Sequence, residues 1–414
     1  MNSQHFHISS VRVVVTRWGI PVGLFLLALA VRLPDLGQFL TADEFLWVDR
    51  SRNFLAGLLN PAYVCMSPVN HTGFEQAVGL ACTLRTGHPG VTTMWTGSLG
   101  ILLRYLADGA PGPLFDYVLA VQTNPLDPRF IAPTRLPTVV LTSLWVAAVY
   151  WLVWRLFADR RVALAAGLLL ALDPFHVAFS RVIHHDALAT TFMTLSLLMA
   201  LIYWGQRESR RWLVASGAMA GFAFLSKSPA LFLNPFIALV GLWLLADRRV
   251  RGEVVTWRQL AVTLGDGLLW FGCAAGVFVA FWPAMWVIPV YALRTIFFVG
   301  SKYASGGHAK GNYFLGNVSR DPGILFYPVT WLLRSSPLVW LGLIAVFIQG
   351  LRRWRAGRLE DQKAGRLKEP ANRKLYQSTN LPATSLPTTS PPTTNLPIYQ
   401  STSFPRHYVL LMLL

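Results

Sequence analysis

The sequence predicts an all-α, polytopic transmembrane helical bundle of about eight to nine spans, and three observations predict it. Hydrophobic residues make up 54% of the chain and charged residues 13%, a balance that a soluble surface would not tolerate. Apolar runs long enough to cross roughly 30 Å of hydrocarbon recur along the chain. These runs are continuous rather than alternating. Inside lipid only helices and closed barrels satisfy their own backbone, so the runs read as helices.

Taken in order, spans are expected over residues 18–34, 136–157, 162–180, 187–204, 213–226, 230–246, 260–282 and 326–350. A ninth is expected to begin near Tyr408 and to be cut off by the end of the chain. The first run follows only two arginines, Arg12 and Arg17, and lacks a small-residue cleavage site before Pro34. It therefore reads as a retained span rather than a signal peptide.

Val91–Ala107 is apolar enough to be mistaken for a span, and it decides the topology. If it does not cross, 21 of the 36 Lys and Arg lie on one side in short stretches next to spans. If it crossed, every later arginine cluster would face outward, against the tendency of cytoplasmic loops to collect positive charge. The segment is therefore expected to be an interfacial helix on the outer surface. The first outer loop then runs over about 35–135 and a second over 284–325, both within a membrane-embedded module of residues 1–350. Residues 351–407 change character, basic to Lys374 and then rich in Pro and Thr, and read as a cytoplasmic linker. No internal repeat is evident.

The net charge of +17 raises nucleic-acid binding, but the positive residues cluster in short loops, where topology explains them. Cys65 and Cys82 fall in the first outer loop, as a disulfide in an oxidising compartment or as free thiols. Cys273 lies in an apolar span, and no cysteine has metal-ligand spacing.

Chemistry is expected where charge meets the bilayer surface. The adjacent carboxylates Asp43 and Glu44 lie about ten residues beyond the first span, where one could act as a base and the other orient a substrate or cation. Asp49, Arg50 and Arg52 follow and could pair locally. Arg181 and His185 would share a helix face, with Asp186 opening the next span, which puts positive charge beside a carboxylate at headgroup depth. His184 and His185 show no third metal ligand nearby, and metal dependence stays open. Lys227 is the one basic residue over 213–246, either reaching to the interface or contacting a phosphate. His88 precedes a Pro-Gly turn and could donate to a phosphate. His308 and Lys310 lie in a glycine-rich outer loop, where close backbone approach to a ligand is possible. Asn70-His71-Thr72 and Asn317-Val318-Ser319 match glycosylation sequons.

In this order of features the chain resembles the C-type superfamily of membrane glycosyltransferases, in the branch of protein O-mannosyltransferases and lipid A aminoarabinose transferases. The resemblance rests on the acidic pair, the His-Pro motif, Arg-Leu-Pro opening a span, LALDPFHVAFSRVIHHDAL ending another, GFAFLSKSPAL, and GGHAKGNYFLG before FYPVTWLLR, and it covers about 18–350. It implies transfer of a sugar from a polyprenyl-phosphate donor at the outer face of the membrane, with inversion at the anomeric carbon. Asp43 would be the base, Glu44 the second member of the acidic pair, and Asp186 the later acidic residue. His88 stands where the family has a basic residue before Pro-Pro, here reading His-Pro-Gly. The expected partners are a lipid-linked sugar donor, an acceptor protein, lipid or glycan, and membrane lipids. The expected location is the inner membrane, with no certain cofactor and a divalent metal possible. The rival from another class is a transporter or flippase. It would put charges near the midplane, whereas here the polar residues gather at one surface.

Overall fold

The computed structural model of the chain describes residues 4–66, 76–206, 208–250, 252–306, 311–352 and 354–356. His308 and Lys310, the sequon at Asn70 and the expected span near Tyr408 lie outside the described residues. About three-quarters of the structure is helical, as expected. The chain divides into two compact units, Met1–Arg334 and Ser335–Leu414.

In the first unit α1 (Gln4–Arg32) and α2 (Glu44–Leu59) are followed by the short strands β1 (Val64–Met66) and β2 (Gln76–Val78). Then come α3 (Val91–Ala107), α4 (Leu114–Leu119), α5 (Ile131–Phe157), α6 (Arg160–Leu172), α7 (Pro174–Ser180), α8 (His185–Gln206) and α9 (Arg211–Ser226). The unit continues through α10 (Leu233–Val250), α11 (Trp257–Ala280), α12 (Ala284–Val287), α13 (Pro289–Gly306), strands β3 (Asn312–Phe314) and β4 (Asn317–Ser319), and α14 (Phe326–Arg334). The sequon asparagine Asn317 is exposed on β4. In the second unit residues 337–352 are helical.

Among the described residues four helices are long and apolar enough to cross a membrane, or up to six if each of two bent pairs counts as one span. Helices stand over every span expected within the described residues, but several are shorter than a bilayer requires. The apolar part of α1 is Trp18–Arg32, and α9 has 16 residues. The span expected over 162–180 is not one helix: α6 and α7 meet at a 58° bend. Asp173 and Pro174 cause it. A residue before proline is driven out of the α region, and Asp173 adopts ψ 116°. Its side chain then accepts from the His176 N–H at 2.7 Å and restarts the chain as α7, with proline at the first position.

Among the described residues, three of the apolar clusters of this unit join its helices. One joins α2, α3 and the start of α5 around Trp47, Ile101, Phe130 and Ile183. A second joins α2 and α3 to the region of α12 and α13 around Phe54, Met94 and Trp282. The third joins α8, α9 and α11 around Leu188, Leu213, Ala220 and Trp270. Close approach of α9 to α11 depends on Gly217, where a Cβ would lie 2.5 Å from the Trp270 carbonyl oxygen. Trp270 donates its indole N–H to Ser216 Oγ at 2.9 Å, so the one polar atom of a buried indole is satisfied there.

Cys65 and Cys82 form a disulfide. It fastens the β1–β2 hairpin, in which Cys65 pairs with Ala77, to the 3-10 turn Gly79–Thr83. That turn is tied onward: Thr83 Oγ1 accepts from Ala284 N at 2.8 Å, and the Thr83 carbonyl accepts from the fully buried Trp282 at 3.2 Å. The strand of chain leading to His88 is thus anchored before it begins.

Candidate active site

Four stretches of sequence meet around Asp186. It stands in the first turn of α8. Lys227, at the C-cap of α9, reaches across to Asp186 Oδ1 at 2.5 Å. His184 Nδ1 lies 3.3 Å from Oδ2, and His185 Nε2 lies 3.8 Å from Oδ1. The His88 ring stacks on that of His185 with centroids 6.1 Å apart. Trp47, buried on α2, packs against both His184 and His185, and the Arg50 guanidinium sits 4.4 Å above its ring. One carboxylate is therefore ringed by an ammonium and two imidazoles, with a third imidazole and a guanidinium beyond.

The approach of α9 is fixed by short hydrogen bonds. Gly90 N donates to the Ser226 carbonyl at 3.1 Å, and Thr92 Oγ1 and Ser226 Oγ are 2.8 Å apart. Gly90 has φ 58°, in the left-handed region, and a Cβ there would meet the Trp47 ring at 2.4 Å. Burial, together with the nearby Lys227 and Arg50, holds the His88 imidazole below its ordinary range. It is therefore neutral at pH 7 and can donate one N–H to a ligand without carrying charge.

Beside this cluster lies a cavity of about 420 Å³ with an almost wholly apolar lining, including Thr92, Trp95, Leu99, Leu225, Phe222 and Phe281. Thr92 bonds to Ser226 and Leu225 lies two residues before Lys227, so the charged cluster and the apolar cavity adjoin.

The two adjacent carboxylates on α2 have opposite environments. Glu44 is 1% exposed and accepts four hydrogen bonds. Arg135 Nε and Nη2 bind it at 2.7 and 2.5 Å, and the amides of Thr41 and Ile183 donate at 2.8 and 3.0 Å. Arg135 also gathers the carbonyls of Leu36, Gln38 and Phe39 at 2.6 to 2.9 Å. Asp43, at the N-cap of the same helix, is exposed and makes no side-chain capping bond. Asp43, Trp47 and Arg50 are spaced four and three residues apart, which places them on one face of α2.

Removing one partner of a buried, bidentate pair leaves an uncompensated charge. Glu44→Ala is therefore expected to destabilise the chain by roughly 3–5 kcal/mol. Thermal unfolding of the detergent-solubilised protein would register it, and an unchanged transition would show that Glu44 does not hold this region together.

Of the residues singled out in the sequence, Asp186, His185, Lys227 and His88 come together. Arg181 does not share a helix face with His185. It caps the C-terminus of α7, a turn separates it from α8, and its guanidinium donates to the Pro34 carbonyl. The local pairing expected on α2 is present, with Arg52 on Asp49 at 2.9 Å. A third potential metal ligand does stand by the histidines: ligand atoms of His184, His185 and Asp186 lie within 4.8 Å of one another, so the trio could hold a divalent cation. Lys227 already occupies one carboxylate oxygen of that set. Trp47, Arg50, Arg135 and Ser226 were not picked out as site residues. The spacing from Asp43 along α2 could have flagged the first two, and the Arg-Leu-Pro motif the third. Ser226 gives no signal of its own in sequence.

No curated protein matches the chain. Residues 110–289 match the model of a family described as dolichyl-phosphate-mannose-protein mannosyltransferase. The matched stretch holds Arg135, His184, His185, Asp186 and Lys227, and it contains all three unbroken spans between α5 and α10 together with α11. By this match the stretch that carries His184, His185, Asp186 and Lys227, in a chain whose apolar helices mark an integral membrane protein, is similar to the mannosyltransferase-like branch of membrane glycosyltransferases.

Proposed function

We propose that the protein transfers a sugar, with inversion, from a polyprenyl-phosphate donor to an acceptor hydroxyl at the outer face of the cytoplasmic (inner) membrane. The observation that carries this reading is the junction of the Asp186–Lys227 cluster with the apolar cavity. A lipid phosphate has both parts: a chain that lipid-like walls accept, and a charged head that needs cationic partners where water is scarce. The leaving phosphate gains negative charge as the sugar departs. Lys227, a neutral His88 donating its N–H, His185 and Arg50 are grouped to meet that charge. The attacking hydroxyl loses its proton to Asp43, which is exposed and unencumbered on the same helix face as Trp47 and Arg50. Glu44, locked to Arg135 and Ile183, acts as the clamp that holds α2 against the start of α8. The Cys65–Cys82 bridge supports the outer-face assignment, because such bonds persist in oxidising compartments. Protein glycosylation and cell-envelope modification are the processes that such a transfer would serve. The bundle of eight to nine spans and the interfacial seating of α3 belong to the same proposal.

The test is transfer of radiolabelled sugar in purified membranes from polyprenyl-phosphate mannose, glucose and aminoarabinose. Product formed from one donor, dependent on this chain, is the expected result. Absence of product from every donor, with lipid-linked sugar instead moved across vesicles, would replace the transferase by a flippase.

A further inference from the structure

Arg32 ends α1 and is fully buried, and among the described residues no carboxylate pairs with it. Yet each of its five N–H donors has an acceptor. Nε donates to Ser180 Oγ at 2.8 Å. Nη1 donates to the carbonyls of Ala28 and Ala171 at 3.0 and 3.1 Å, and Nη2 to the Leu170 carbonyl and His176 Nδ1 at 3.2 and 3.0 Å. The partners are not scattered. Leu170 and Ala171 lie in the last turn of α6, where carbonyls lack intrahelical donors and carry the negative end of the helix dipole. His176 and Ser180 belong to α7, on the other side of the bend. One guanidinium therefore bolts both arms of the α6–α7 bend to the end of α1.

The chain that leaves α7 is the chain that carries the candidate site. Ser180 is held by Arg32, Arg181 by the Pro34 carbonyl, and the Ile183 amide by Glu44 at 3.0 Å. His184, His185 and Asp186 follow at once. Three successive anchors over four residues leave this segment little freedom, and the first of them depends on Arg32.

We propose that Arg32 is a positioning residue of the site: by fixing the α6–α7 bend to α1 it sets where His184, His185 and Asp186 stand. Its consequence for turnover rests on the transferase reading, whereas its consequence for the placement of the segment does not. Lysine cannot stand in, having three donors on one nitrogen and no planar fork to span two helices.

The experiment uses the full chain, purified, with R32K, R32Q and S180A, and it has two arms. Amide hydrogen exchange is followed over residues 174–186 and, as an internal control, over α9. Exchange over 174–186 is expected to rise by tenfold or more, on the order of one lost local anchor, with α9 unchanged. In the transfer assay the expected fall in kcat is on the order of 10²-fold for R32K and R32Q. Acceptor KM should stay within about twofold, since the altered group acts on the transition state rather than on acceptor binding. S180A removes a single neutral acceptor and keeps the fold available should the Arg32 variants fail to assemble. About a fivefold loss of kcat, with raised exchange over 174–186, is expected there. Wild-type exchange over 174–186 in R32K or S180A overturns the proposal, and so does exchange that rises equally in α9, which would make Arg32 a general stabiliser. If the wild type transfers no sugar, the exchange arm still decides the role of Arg32, and the functional reading falls alone.

Discussion

Asp43→Asn is expected to lower kcat for sugar transfer by about 10²–10⁴-fold, the range that a positioned general base contributes. Folding should be untouched. The side chain is exposed and makes no capping bond, and asparagine has the same shape. Glu44, one residue away, is its opposite. That carboxylate already accepts from two nitrogens of Arg135 and from two backbone amides, so it has no free lone pair aimed at a substrate. Two neighbouring acids thus divide their roles by environment. Labelled transfer in membranes at matched expression measures the effect. Equal rates in wild type and Asp43→Asn would take Asp43 out of the mechanism, whatever the donor.

Lys227→Met is expected to lower kcat by on the order of 10²–10³-fold, because it removes the cation nearest the developing phosphate charge. Its cost to stability should be no more than about 1 kcal/mol, since the pair it forms with Asp186 is partly open to solvent at 28% and 35% side-chain exposure. Asp186→Asn should reproduce much of the loss, because Asp186 is what holds the ammonium in place at 2.5 Å. If the two act as one unit, the double variant Lys227→Met, Asp186→Asn falls no further than the worse single variant. Additive losses would separate them into independent roles. Steady-state rates at varied donor concentration make the distinction, and a change confined to donor KM would assign Lys227 to ground-state binding alone.

Much of the fold was legible in the chain because lipid imposes a simple rule on it: a continuous apolar run must be a helix. Helices accordingly stand over the expected spans. The break at Asp173 was equally available, since Asp-Pro inside an apolar run is a helix stop and a helix start together, but apolarity alone carried the reading through it. A second stop, at Arg181, misplaced that residue: it caps α7, and the turn after it takes it off the face of His185. The site was legible in part. Asp186, His185, Lys227 and His88 were recognisable as polar residues where a helix meets the bilayer edge. Trp47 and Arg135 left only a spacing from Asp43 and an Arg-Leu-Pro motif, and Ser226 left nothing, because their importance comes from what they touch. Glu44 was grouped with Asp43 because adjacency in sequence says nothing about burial.

The chain by itself determined the helical, membrane-embedded class, the stretches that become helices, and the side chains able to carry charge at the membrane edge. These follow from hydropathy and local backbone chemistry, which act over one or two turns. Tertiary structure alone decided which of those charges are free. It gave Glu44 to Arg135 across 91 residues, joined Asp186 to Lys227 across 41, and used Arg32 to bind helices 148 residues apart at Ser180. Such pairings arise because a buried charge must find its partners wherever packing places them, and packing is a property of the assembled bundle rather than of any segment.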